Sequence, residues 1–182
     1  MEIKDKLFEE CSNVPTEQTM EWLIQEYGYD VYKLAFFYLK DKGKAEDISQ
    51  EVFITCYEKL SNFEGEFTKI KHWLLRITSN KCKDVLRSWP YKYIQFTDTL
   101  FDRFKNLELS PEERFTSMNE KSELVREILK LPIKYREVII FYYYEDLKIS
   151  EISNILQINE NTVKTRLRRG KGQLKNTIKG GN

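Results

Sequence analysis

The sequence predicts an all-α fold: two small helical domains joined by a flexible linker, with a helix-turn-helix in the C-terminal domain. Glycine and proline are scarce, at seven and four in 182 residues, and both are unfavourable inside helices. Apolar residues recur at helical spacing, as at Val31, Leu34, Ala35, Tyr38 and Leu39. No stretch shows the sustained alternation of apolar and polar residues that a half-buried strand needs.

The first domain is predicted to span residues 16–88, after an N-terminal extension over residues 1–15. Its first helix is expected to break at Asp41-Lys42-Gly43, because glycine is a poor helix former. The next helix is predicted over about Lys44–Leu60, and after a loop a third, long helix runs to about Arg87.

Residues 89–112 are predicted to be the linker, because the helical spacing of apolar residues is lost there. Trp89-Pro90 ends the preceding helix, since a residue before proline disfavours the helical conformation. Ser110-Pro111, followed by acidic residues, resembles a capped helix start. The second domain is therefore placed at residues 113–182, with Leu131-Pro132 separating its first two helices.

Composition argues against several classes of protein. Cys11, Cys56 and Cys82 are far apart and form no CxxC pair, so free thiols in a reducing compartment are expected. With His72 as the only histidine, no metal site is expected, and no cofactor or catalytic motif is present. The first ten residues lack a signal peptide's apolar core, and the longest apolar run, Val138 to Tyr144, is too short for membrane insertion. A cytoplasmic location is expected.

The strongest local pattern lies between Ile149 and Leu174. Ser150 is positioned to cap a short helix, and after a turn Asn159 is a good N-cap for the next. From Glu160 to Asn182, seven Lys or Arg residues face one Glu. One side of this last helix is apolar and the other is basic, which suits an element lying in the DNA major groove. The alternative is an amphipathic surface helix whose basic face is only solvated.

The predicted helix around residues 44–60 is acidic. Six acids stand against one lysine from Glu46 to Glu66, and one face carries Asp47, Glu51, Ile54 and Glu58, with Gln50 beside them. Such a face would repel phosphate. It is either merely solvated or a surface that binds another protein.

The third predicted helix has the opposite charge. From Thr68 to Tyr93, seven Lys or Arg residues face one Asp. The side chains that share its basic face are Lys69, His72, Arg76, Asn80, Lys83 and Arg87. The loop before it contributes Phe63 and Phe67. Aromatic and polar groups beside a basic groove suit unstacked, single-stranded bases.

Three motifs in order resemble the extracytoplasmic-function (ECF) group of bacterial RNA polymerase sigma factors. The segment Ala45 to Phe53 is similar to the group's AEDxxQExF pattern. Ile70 to Ile77, with Asn80 and Asp84 to Arg87, is similar to its FKxWLxRIAxN…DxLR helix. Four segments resemble the C-terminal sigma domain: Leu131-Pro132, Tyr135 to Val138, Glu151 to Ser153 and Thr162 to Leu167.

The resemblance implies sigma domains two and four and assigns each surface a partner. Core RNA polymerase would be bound by Asp47, Gln50, Glu51 and Ile54. The −10 promoter element, held as single-stranded DNA, would be bound by Phe63, Lys69, Lys71, His72, Trp73, Arg76, Asn80, Lys83 and Arg87. The −35 element, read as a duplex, would be bound by Asn161, Thr162, Lys164, Thr165, Arg168, Arg169 and Lys171. An anti-sigma factor covering the same surfaces is also implied.

The sequence departs from the family pattern at several positions. Gln157 stands where the family usually has glycine in the turn, and if that position needs a positive φ the strain is on the order of 1 kcal/mol. Gly170 and Gly172 are expected to weaken the end of the last helix by about 1 kcal/mol each. Asn161 also replaces a common glycine, and Ile70 a common phenylalanine. The competing interpretation is a stand-alone helix-turn-helix transcriptional regulator.

Overall fold

The computed structural model describes residues 17–63, 67–88 and 118–179, and these residues form α-helices and short 3-10 turns without any strand. The all-α prediction is therefore confirmed. The helices are α1 (Glu17–Leu39), α2 (Lys42–Lys59), α3 (Ile70–Ser88), α4 (Met118–Lys130), α5 (Ile133–Tyr143), α6 (Ile149–Leu156) and α7 (Glu160–Lys179). The predicted N-terminal extension, most of the predicted linker and the Ser110-Pro111 helix start lie outside the described residues.

The chain divides into two compact units. The first contains α1, α2 and α3 together with Ser150–Ile158, and the second contains α4, α5 and α7. Segment Ser150–Ile158 thus groups differently from the sequence-based division, which assigned it to the C-terminal domain. The division into sigma domains stays a prediction.

Helices α1, α2 and α3 pack against one another in the first unit. Leu34, Val52 and Leu74, one from each helix, are fully buried, and burial of each such side chain contributes about 1.5–3 kcal/mol. The Tyr38 hydroxyl and the Ser79 hydroxyl, both buried, are hydrogen-bonded at 2.8 Å. This bond between α1 and α3 satisfies two polar groups that would be costly to bury alone.

Helix α2 begins at Lys42, earlier than the predicted start at about Lys44. Asp41 is the N-cap of α2, and its carboxylate accepts a hydrogen bond from the Lys44 backbone N–H at 3.0 Å. Lys42 and Gly43 are therefore the first residues of α2 rather than part of a break. The physical reason is that a capping aspartate stabilises the first turn, where a glycine is tolerated.

Helices α4, α5 and α7 form the second unit. Gly170 lies where α7 passes closest to α5: a Cβ there would stand 3.2 Å from Ile139 Cγ1 and 3.4 Å from Tyr135 Cβ. Helix α7 continues through both glycines to Lys179, so the expected weakening does not end it. Gly170 instead permits the close packing of the two helices.

The described cysteines are buried thiols. Burial raises the pKa of Cys56 and of Cys82 to about 12, which makes both unreactive near neutral pH. Among the described residues, no group of three or more His, Cys, Asp or Glu residues could hold a metal ion. No described helix is long and apolar enough to cross a membrane.

Candidate protein and nucleic-acid interfaces

The acidic face of α2 lies at the protein surface. Asp47, Gln50 and Glu51 are exposed, and the Ile54 side chain beside them is 58% exposed. The Glu51 carboxylate accepts a hydrogen bond from Lys81 of α3 at 3.1 Å. All four residues predicted to bind a protein are thus accessible, and one of them also links α2 to α3.

An apolar groove lies directly beside this acidic face. Its volume is about 590 Å³, and α1 and α2 form its walls through Met20, Ile24, Gly28, Ser49, Gln50, Phe53, Ile54 and Tyr57. Ile24 and Tyr57 are about half exposed, at 49% and 52%. The groove arises between two helices, so no local sequence pattern predicted it. The only signal was the pair of large apolar residues Ile54 and Tyr57, three positions apart on an otherwise polar face.

The side chains on the basic face of α3 differ in their exposure. Lys69, Arg76, Asn80 and Arg87 are exposed, while His72 and Lys83 are half-buried. Arg87 also forms an ion pair with Asp84 at 3.3 Å. Four of the predicted −10 contacts are therefore exposed along one side of the helix.

Three further predicted −10 residues are held by their neighbours. The Lys71 ammonium pairs with the Asp30 carboxylate of α1 at 2.8 Å. The rings of Phe63 and Trp73 are 5.0 Å apart at an angle of 41°. Lys71 thus has an acidic partner within the unit, whereas the two half-buried rings form an aromatic pair at the start of α3.

The turn between α6 and α7 has the geometry that the sequence indicated. Gln157 has a φ of 54°, in the left-handed region that favours glycine. Asn159 precedes α7, and its side-chain oxygen accepts a hydrogen bond from the Asn161 N–H at 2.7 Å, as an N-cap does. Ser150, by contrast, lies inside α6, because this helix begins one residue earlier, at Ile149.

The first turns of α7 present a polar surface. Asn161, Lys164 and Arg168 are exposed, and Thr162 and Thr165 are half-buried between them. The opposite side is packed through buried apolar residues, namely Val163, Leu167 and Leu174. This arrangement agrees with the predicted amphipathic character of the helix.

The remaining two predicted −35 residues engage α5. Hydrogen bonding from the Arg169 guanidinium lowers the pKa of Tyr135. The Lys171 ammonium bonds to the side chain of Tyr143, which raises the pKa of Lys171. Lys171 also lines a cleft of about 340 Å³, together with Tyr142, Tyr143, Ile149, Lys164, Leu167 and Arg168.

Arg166 is the one basic residue of the motif Thr162 to Leu167 that points to a buried acid. Its guanidinium donates a hydrogen bond to the Glu137 carboxylate of α5 at 2.8 Å. The Glu137 side chain is only 3% exposed, and that of Arg166 is 25% exposed. This pair was not predicted from the sequence. The available signal was the position of Arg166, about 60° from Val163 around the helix and so at the border of the apolar stripe.

Comparisons with known proteins identify the family. Residues 23–89 match the family model for sigma-70 region 2, and residues 121–174 match the model for sigma-70 region 4. The ECF RNA polymerase sigma factor SigW of Bacillus subtilis is 32% identical over 164 residues, which cover 86% of this chain and 87% of the relative. The chain belongs to the ECF family of RNA polymerase sigma factors. The ECF RNA polymerase sigma factor SigM of the same organism is 31% identical over 157 residues, which cover 86% of this chain and 93% of SigM.

Two solved structures share the fold of this ECF sigma factor. The sigma factor RpoE, solved with the anti-sigma factor NepR from Bartonella quintana, has a TM-score of 0.68 and 18% identity, and covers 89% of this chain and 98% of its own. CnrH, solved with the cytosolic domain of CnrY, has a TM-score of 0.66 and 18% identity, with 92% of each chain covered. The family matches support ECF sigma factor function for the chain rather than that of a stand-alone regulator.

Proposed function

We propose that this sigma factor binds core RNA polymerase through the acidic face of α2 and directs it to promoters through α3 and α7. In this proposal it acts in the cytoplasm, where the polymerase is, and performs no covalent chemistry. The observation that carries the proposal is the juxtaposition of exposed Asp47, Gln50 and Glu51 with an open apolar groove in a DNA-binding family.

The acidic face suits a protein partner for two physical reasons. Its carboxylates would repel DNA phosphates, so they do not belong to the DNA-binding surface. The groove next to it supplies apolar area that a partner can cover, and Ile54 lies at the border between the two. Charge at the rim with apolar area at the centre is the usual anatomy of a protein interface.

Promoter opening is supported by the basic face of α3. Exposed Lys69, Arg76 and Arg87 can neutralise backbone phosphates. The rings of Phe63 and Trp73 offer a surface on which a base can stack, an interaction worth about 1–3 kcal/mol per base. Held bases offset the cost of separating the strands, so melting does not require an enzymatic step by the sigma factor.

Recognition of the −35 duplex is supported by the first turns of α7. Asn161, Lys164, Thr165 and Arg168 have the donors and acceptors that read base edges in the major groove. Lys171, Tyr142 and Tyr143 border the adjacent cleft, which suits a backbone phosphate. We therefore assign Arg168 to base reading and Lys171 to the DNA backbone.

We also infer control by an anti-sigma factor. The sigma factor RpoE, which has the same fold, was solved with the anti-sigma factor NepR. The groove between α1 and α2 adjoins the proposed polymerase surface, so an inhibitor docked there would compete with polymerase.

The test is binding of purified protein to core RNA polymerase. Asp47→Lys places a like charge against the partner's basic surface, and we expect at least about tenfold weaker binding, as a reversed charge pair costs several kcal/mol. Glu21→Lys makes the same charge change at an exposed position of α1 and is the matched control. Transcription from a pool of genomic fragments by the reconstituted holoenzyme completes the test.

Equal binding by wild type and Asp47→Lys would show that the acidic face is only solvated. If the holoenzyme initiated no better than core polymerase on every fragment, the proposed function itself would be wrong. Nanomolar binding of one duplex by the free protein would instead favour a stand-alone regulator.

A further inference from the structure

The pair of Glu137 and Arg166 joins two helices of the second unit at a buried position. The 2.8 Å hydrogen bond connects the middle of α5 to the second turn of α7, and Glu137 is nearly inaccessible to water. A carboxylate in such a place is stable only with a charged or hydrogen-bonded partner. The geometry therefore ties the rotation of α7 about its own axis to α5.

Contacts on either side of the pair act in the same direction. Arg169 interacts with Tyr135, the Lys171 ammonium lies 5.7 Å from the centre of the Tyr143 ring, and Gly170 allows α7 to approach Ile139 closely. These contacts join three cations of α7 to α5, and Lys171 still lines the same cleft as Lys164 and Arg168. That open face, with Lys164 and Arg168, is then held in one orientation by the opposite side of the helix.

We propose that Glu137 and Arg166 are positioning residues for promoter recognition, and that Arg166 orients α7 without contacting DNA. The inference rests on the proposed function, since it presumes that α7 reads the −35 duplex. It concerns a buried acid that the motif-based assignment of DNA contacts did not include.

The proposal predicts that removing a negative charge at Glu137 weakens DNA binding. Removing a negative charge near DNA ordinarily strengthens binding, because phosphate repulsion decreases. Glu137→Gln should instead weaken binding, since Arg166 loses its charged partner and α7 loses its fixed orientation. Hydrogen bonds to charged groups are strong enough that a loss of about tenfold in promoter affinity is expected.

The experiment uses reconstituted holoenzyme and the strongest promoter recovered from the genomic pool, alongside the same fragment with its −35 element scrambled. Glu137→Gln, Arg166→Met, the double variant and Arg166→Lys are compared with wild type. We expect both single variants to lose about tenfold on the intact promoter and less than about twofold on the scrambled one. The double variant should be no worse than either single variant, and Arg166→Lys should recover part of the affinity.

Salt dependence separates positioning from direct contact. If Arg166 neutralises a phosphate, Arg166→Met should reduce the slope of log K against log salt by about 1 on scrambled DNA. We expect no change in this slope. Stronger promoter binding by Glu137→Gln, or the reduced slope for Arg166→Met, would overturn the inference.

Folding and function are kept distinct by two controls. Arg166→Met changes a partly exposed side chain, so it remains informative if Glu137→Gln fails to fold, and circular dichroism at the assay temperature checks each variant. If wild-type holoenzyme does not distinguish the intact from the scrambled promoter, the proposed −35 function fails, and this inference falls with it. If wild type distinguishes the intact from the scrambled promoter and the variants bind both as wild type does, only the positioning role is overturned.

Discussion

Gln157 adopts a left-handed backbone conformation in the turn before α7. Its φ of 54° brings Cβ close to the carbonyl oxygen, a strain of about 1–2 kcal/mol that glycine avoids. Its side chain partly compensates, because the Gln157 amide donates a hydrogen bond to the Asn154 backbone oxygen at 2.8 Å. Ile158 N–H also bonds to the Ser153 carbonyl at 3.2 Å, so the turn is held on both sides of Gln157.

We expect Gln157→Gly to be more stable than Gln157→Ala by about 1 kcal/mol. Both variants lose the side-chain hydrogen bond, so their difference isolates the backbone strain. Chemical denaturation of the two proteins measures it. Equal stability would mean that the turn relaxes out of the left-handed region when the side chain is removed.

At the scale of elements, α5 limits which side chains α7 can carry at their contact. The two helices pack closely at Gly170, where a methyl group would press on Ile139 and on the Cβ of Tyr135. Ile139 is buried and cannot move away freely. Gly172, only two residues further along, has no atom within 4 Å of where its Cβ would stand.

These two glycines therefore form a matched pair for a prediction. Gly172→Ala should stabilise the protein by up to about 1 kcal/mol, since alanine has the higher helix propensity and meets no neighbour. Gly170→Ala gains the same propensity but must displace buried groups of α5, and overpacking typically costs about 1–3 kcal/mol. We expect it to be destabilising.

Thermal unfolding of both variants and the wild type measures the pair. An increase in stability for Gly170→Ala equal to that for Gly172→Ala would contradict close packing of α5 against α7.

At the scale of the whole molecule, polymerase binding and −35 recognition are assigned to different compact units. The acidic face and the groove belong to the unit that contains α1, α2 and α3, whereas α7 belongs to the other. A substitution in one unit should therefore leave the other activity intact, because the effects of substitutions at independent sites are additive.

Arg168→Ala tests this separation. It should weaken holoenzyme recognition of the −35 element by about 1–3 kcal/mol if Arg168 contacts base edges, and binding to core polymerase should be unchanged. Promoter affinity with intact and substituted −35 elements, measured beside a core-binding assay, gives both results. Unaltered discrimination between the two promoters would remove Arg168 from the base-reading residues.

The sequence by itself determined the helical class, the segment that carries the turn and the charge of each surface. These features are local: helical spacing of apolar residues, a capping Asn159 and a glycine-like position at Gln157 depend on residues within a few positions of one another. For the same reason the motifs sufficed to indicate the sigma factor family, which the comparisons confirm.

Only the tertiary structure decided which side chains the cations contact. Arg166, Arg169 and Lys171 belong to one basic run in the sequence, yet they contact Glu137, Tyr135 and Tyr143 of α5. The apolar groove likewise required α1 and α2 to be brought together. Side-chain partners on other helices depend on interhelical distance and rotation. The apolar stripe indicates the rotation only approximately, and local sequence patterns do not specify the distance.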